Sequence, residues 1–272
     1  MAVYRILVVG AHPDDCDLFA GGTAALWKRR GDTVRFLSVT NGEAGHQSMG
    51  AEELAARRRR EAEKAAEVLG IEYVVLGNPD GQLVPTLERR FDMIRRIREF
   101  APDLVLTHRP WDYHPDHRYT ATLVLDSAYM VTVPRICPEV PHLESNPVLG
   151  YLHDDFRRPV PFEADVVVDV DEVMELKWEI LHAHTSQFYE WLPYNTGKTD
   201  QVPAEDGERR RWLRGEWEPL LERVADDHRV RLSELYGEER ARGVRFAEAF
   251  EIGEHGRRLA GRELEQLFPL GA

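Results

Sequence analysis

Four short, mostly apolar runs, Ile6-Leu7-Val8-Val9, Val34 to Val39, Tyr73-Val74-Val75-Leu76 and Leu104-Val105-Leu106, are separated by stretches with helical periodicity. The first helical stretch runs from about Leu18 to Arg30 and stops at Gly31; the second runs from Ala51 to Leu69 and stops at Gly70. A third places Leu87, Phe91, Ile94 and Ile97 at spacings of three and four, which puts them on one helix face. Strands alternating with helices pair in parallel, because each crossover brings the chain back to the end of the sheet from which it left. The predicted fold class is α/β: a Rossmann-like, doubly wound, mainly parallel sheet with helices on both faces and a C-terminal extension. A chain of 272 residues is long enough to bury such a core.

Beyond Val148 the pattern loosens. A strand is predicted at Val166 to Val170 and a helix from Asp171 to about His184. The expected division is an α/β core over 1–192, a helical insertion or lobe over 193–243, and a C-terminal strand and tail over 244–272 that completes the core. The middle segment is rich in Arg and Glu with scattered Trp and Leu, and offers a contact for a homo-oligomer.

Charge and composition narrow the partners. No apolar run approaches bilayer length, so no membrane partner is expected. Net charge is −13 with no basic stripe interleaved with aromatics, which argues against nucleic acid. The run Arg57 to Arg60 reads as a solvated helix face. The opening MAVYRILVVGAHPDD reads as a core strand rather than a secretory signal, and two cysteines, Cys16 and Cys137, suggest a reducing compartment; the expected location is cytoplasmic.

In doubly wound sheets, ligands bind beyond the carboxyl ends of the strands. Two polar clusters fall there, Ala11-His12-Pro13-Asp14-Asp15 after the first strand and His114-Pro115-Asp116-His117 after the fourth. A catalytic zinc site keeps three protein ligands and one open position, and His12, Asp15 and His117 supply that count. The plainer reading of each cluster alone is helix capping. A dinucleotide site is disfavoured, since the turn after the first strand lacks Gly-x-Gly-x-x-Gly and carries carboxylates where a pyrophosphate needs bare amides.

With these two motifs in this order the chain resembles the PIG-L/LmbE-type deacetylase family. Similar segments continue through Phe19-Ala20-Gly21-Gly22-Thr23, Thr40 to Gly45, Arg58-x-x-Glu61, His184-Thr185-Ser186-Gln187 and Ala247-Glu248-Ala249-Phe250. The resemblance implies Zn²⁺ held by His12, Asp15 and His117, with Fe²⁺ or another divalent ion as a substitute, and Asp14 as general base on the attacking water. It further implies His114 as the stabiliser of the tetrahedral oxyanion, with Asp116 orienting or charging it, and Arg58 and Asp80 at the substrate. Trp111 is expected to wall a sugar pocket. The implied reaction is hydrolysis of an N-acetyl group on a small aminosugar. An amidase of a thiol-sugar conjugate and a non-catalytic sugar-binding protein are the alternatives. Cys16 stands where the family most often has Glu, and is expected to be a small buried packing residue.

Overall fold

The computed structural model describes residues 3–260 and 262–271. In chain order the strands are β1 (Arg5–Gly10), β2 (Thr33–Thr40), β3 (Glu72–Asn78), β4 (Leu104–Thr107), β5 (Val148–Leu152), β6 (Val166–Asp169) and β7 (Ala247–Ile252). The helices of the first half are α1 (Asp15–Arg30), α2 (Ala51–Leu69), α3 (Leu87–Phe100) and α4 (Pro115–Ala128). Then come α5 (Met174–Ala183), α6 (Leu192–Asn195), α7 (Asp206–Asp227), α8 (Arg229–Tyr236), α9 (Glu238–Gly243) and α10 (Glu263–Leu267). None of the described helices is long and apolar enough to cross a membrane.

The strands form one sheet in the order β3-β2-β1-β4-β5-β7-β6, as expected for a doubly wound fold. The first five pair in parallel, and β7 runs antiparallel to both of its neighbours. Strand order reverses between β1 and β4, so a crevice opens beyond their carboxyl ends. Alternate residues of β1 enter opposite cores, Ile6 and Val8 on one face and Leu7 and Val9 on the other. The first core includes residues of α1, α2 and α5; the second includes residues of α3 and α4.

Gly31 and Gly70 close α1 and α2 in the left-handed conformation that other residues avoid, so both expected stops stand. Two boundaries and one strand depart from expectation. The first helix begins at Asp15, three residues early, because the Asp14 carbonyl accepts from Leu18 N–H and starts the ladder. Residues 171–173 form a 3₁₀ turn before α5. The fully buried β5 fills the space between β4 and β7 without having been anticipated as a strand. Along 193–243, Ala225, Leu232 and Ala241 pack with Val167 of β6 and Ala247 and Ala249 of β7.

Candidate metal centre and active site

The turn after β1 is drawn tight by Asp15, whose Oδ2 accepts from the backbone N–H of Ala11 at 2.9 Å and of His12 at 2.7 Å. Only glycine fits at position 10, since a Cβ there would lie 2.8 Å from the Asp15 Cβ. Asp14 takes the strain, with φ of 152° and ψ of −25°, a region non-glycine residues enter only when the surroundings force it. Its carboxylate faces the cleft while Asp15 turns inward.

The connection from β4 to α4 supplies the opposite wall. His117 Nδ1 lies 3.0 Å from Asp112 Oδ2 and donates to it. His12 Nε2 lies 3.1 Å from Asp80 Oδ1 and 3.4 Å from Asp116 Oδ2. His117 thus places its Nδ1 hydrogen on the carboxylate behind it, and His12 turns Nε2 towards two carboxylates, so each presents its other nitrogen forward, the arrangement by which outer carboxylates fix metal-ligating histidines. The forward atoms converge: His12 Nδ1 is 3.2 Å from His117 Nε2, and Asp15 lies 3.5 Å from each.

Two lone pairs and a carboxylate at this spacing repel one another unless a positive charge stands among them. Metal bonds of about 2.0–2.2 Å in a tetrahedral ion space their ligands about 3.3 Å apart, so the trio fits a divalent cation. The protein alone asks for the same charge. Against the opposing effect of burial, Asp116, Asp15 and Asp80 push His12 well above its ordinary range. Burial likewise opposes ionisation of Asp15, yet His117 and His108 hold it well below the usual carboxylate range.

Asp14 is pushed up to about 6, first by burial and then by Asp15, while the Arg58 guanidinium pulls it down. His114 is lowered by burial and by His12 and His117, which keeps it neutral. Its Nδ1 accepts the Asp116 N–H at 3.2 Å as the cap of α4, so its hydrogen is on Nε2.

Of the other expected site residues, Arg58 and Asp80 line the cleft, whereas Asp116 and Trp111 stand elsewhere than foreseen. The Asp116 carboxylate accepts from Gly81 N–H at 2.6 Å and Leu83 N–H at 3.2 Å and faces His12; only its backbone N–H orients His114. Arg58 borders the cleft but is buried, donating to the carbonyls of Pro13 and Gly42 and lying 3.1 Å from Asp14 Oδ1. Asp80 lies at the cleft and backs His12, which against burial holds it down at about 2. Trp111 is not brought to the cleft: Asp112 turns inward to His117, the turn leaves Trp111 44% exposed, and Tyr113 stands at the opening. Cys16 points into the sheet, its Sγ against the carbonyls of Val8 and Leu37.

Two residues escaped sequence reading. Asp112 backs His117, and His108 lies 3.1 Å from Asp15 Oδ2 with its ring stacked on His117 at 4.0 Å. The available signals were positional, His108 being the first residue after β4 and Asp112 preceding the His114–His117 motif. The cleft encloses about 520 Å³, and its far wall includes Phe188 and Trp191 from a π-helical turn at Gln187–Trp191.

The chain is similar to known proteins in sequence and in fold. Residues 7–128 match the PIG-L family, described as GlcNAc-PI de-N-acetylase. The chain is 31% identical over 209 residues to diacetylchitobiose deacetylase of Thermococcus kodakarensis, covering 71% of this chain and 75% of that protein. It is 31% identical over 236 residues to a 1D-myo-inositol 2-acetamido-2-deoxy-alpha-D-glucopyranoside deacetylase of a Mycobacterium species, covering 68% and 74%. Among solved structures, N,N'-diacetylchitobiose deacetylase of Pyrococcus horikoshii superposes with a TM-score of 0.70 at 28% identity, covering 92% of this chain and 84% of that one. By fold, by its paired motifs and by these relatives, the chain belongs to the PIG-L/LmbE deacetylase family.

Proposed function

We propose that the protein is a zinc-dependent hydrolase that removes an N-acetyl group from a small aminosugar-containing substrate. The observation that carries this reading is the convergence of His12 Nδ1, Asp15 and His117 Nε2 beside the cleft-facing carboxylate of Asp14. His12, Asp15 and His117 hold the cation, and two imidazole nitrogens with a carboxylate oxygen suit Zn²⁺, although Fe²⁺, Co²⁺ or Mn²⁺ would also be accepted. When bound, the ion supplies Lewis acidity, polarising the amide carbonyl and acidifying water.

The chain's own groups do the rest. Asp14, ionised above about pH 6, takes the proton of the attacking water and passes it to the departing amine. Neutral His114 offers its Nε2 hydrogen to the oxygen that becomes negative when the carbonyl carbon turns tetrahedral. Arg58, which lines the cleft, also holds the Asp14 turn and tunes its proton affinity. Asp80 and Asp116 steady His12, and Asp112 steadies His117. The buried free thiols of Cys16 and Cys137 support a reducing, cytoplasmic setting.

The substrate is found by measuring amine release from a panel of N-acetylglucosamine derivatives, a thiol-sugar amide and chitin fragments. Turnover of the acetylated aminosugars is expected. Turnover of the thiol-sugar amide alone would replace deacetylation with the amidase reading, and binding of sugars with no hydrolysis would replace it with a binding protein.

A further inference from the structure

The cleft does not end at the catalytic groups. A second cavity of about 190 Å³ adjoins it, and Leu18, Phe19, His153, Asp155 and Trp217 border both. Phe19 links it to the reacting centre: its ring lies 6.2 Å from that of His108, which stacks on His117. Trp217 of α7 packs on Phe188 of the cleft wall at 4.9 Å and marks the junction from the other side. The chamber lies between the start of α1, one face of α7 and the first half of β7.

Phe19, Trp217, Leu221, Val224 and Ala249 give its lining a broad apolar share. The charges that border it are already matched. Lys177 Nζ donates to Glu248 Oε1 at 2.6 Å, and Glu248 also accepts from Gly22 N–H at 2.8 Å and Thr23 N–H at 2.7 Å. Asp155 pairs with Arg223. Burial first and His228 second push His153 down to about 4, so it is neutral at pH 7. A sugar ring, with hydroxyls on every edge, would lose hydrogen bonds to water there and gain few in return. A hydrocarbon group would lose none.

We propose that this chamber is a subsite for an alkyl or aryl group covalently carried by the amide substrate. The inference rests on the hydrolase reading for its substrate. The group can arrive as a lengthened acyl chain or as an apolar aglycone on the sugar, and two series of compounds separate these sources.

Deacylation is measured on N-acetyl-, N-butanoyl- and N-hexanoylglucosamine, and separately on the methyl, butyl and hexyl glycosides of N-acetylglucosamine. In one series kcat/KM is expected to rise by about fourfold for each methylene buried, until the chamber is full. Val224→Trp, which fills the chamber from α7, is expected to flatten that rise and to change the ratio of the long to the short substrate. Calorimetric titration of metal-loaded Asp14→Asn with the same compounds reads the chamber with turnover suppressed and without the Val224 variant. The hexyl or hexanoyl member is expected to bind more tightly than the short one. Absence of hydrolysis together with that graded binding would overturn the proposed reaction and uphold the chamber. A flat or falling trend in both series, by rate and by binding, would overturn the chamber, as would a folded Val224→Trp that retains the rise.

Discussion

Asp14 is where the chemistry is most exposed to a single change. Burial and Asp15 raise it to about 6, and Arg58, 3.1 Å away, restrains that rise. A base works when deprotonated, so kcat/KM should increase as pH rises through the Asp14 value and fall below it. Removing the guanidinium in Arg58→Met takes away a stabiliser of the charged form, and the acid limb should move to higher pH by roughly one unit. A pH–rate profile checks this; an unmoved limb would mean that Arg58 does not act through Asp14. Asp112 acts through His117 Nδ1, so Asp112→Asn should weaken divalent-ion affinity about 10- to 100-fold with the fold retained, read by competition with a chelator. The converging trio His12, Asp15 and His117 and the cleft-lining Asp14, the proposed ligands and base, could be picked out because they sit in two short motifs. Their supports were not: Asp112 and His108 acquire meaning only when folding brings a carboxylate behind one ring and a second ring beside it.

At the scale of elements, the first half of the chain was readable because its strands and helices obey different periods and α1 and α2 end in glycine. Legibility falls after Val148 for physical reasons. Five buried residues of β5 carry no alternation, since both faces of the sheet are covered there. The π-helical turn at Gln187–Trp191 has no pattern of its own and is tied down by distant partners, with Gln187 Nε2 donating to the Gly45 carbonyl and Arg57 pairing with Glu190. The fastening of β7 to α1 and α5 through Glu248 was equally hidden. Lys177 and Glu248 are 2% and 3% exposed, so Glu248→Ala leaves a buried ammonium without its counter-charge and removes the carboxylate that accepts from the Gly22 and Thr23 N–H groups. The expected loss is about 3–5 kcal/mol of stability, measured by denaturant unfolding. A loss below about 1 kcal/mol would show that water or another group compensates the lysine.

For the whole molecule, the decisive feature is the reversal of strand order between β1 and β4. It brings residues 93 or more positions apart in sequence, such as Asp15 and His108, within 3.1 Å, and it places the two motif loops on opposite sides of one crevice. Sequence order alone could name the loops; the crossover through α3 is what makes them face each other. The measurement that tests the central claim is acetate release from the best N-acetylated aminosugar by protein stripped of metal, before and after Zn²⁺ is added, beside Asp14→Asn carrying the same metal. Expected are negligible release without metal, restoration on addition of Zn²⁺, and a loss of roughly 10²- to 10⁴-fold in Asp14→Asn. Release that persists in the stripped protein, or that survives Asp14→Asn undiminished, would contradict it.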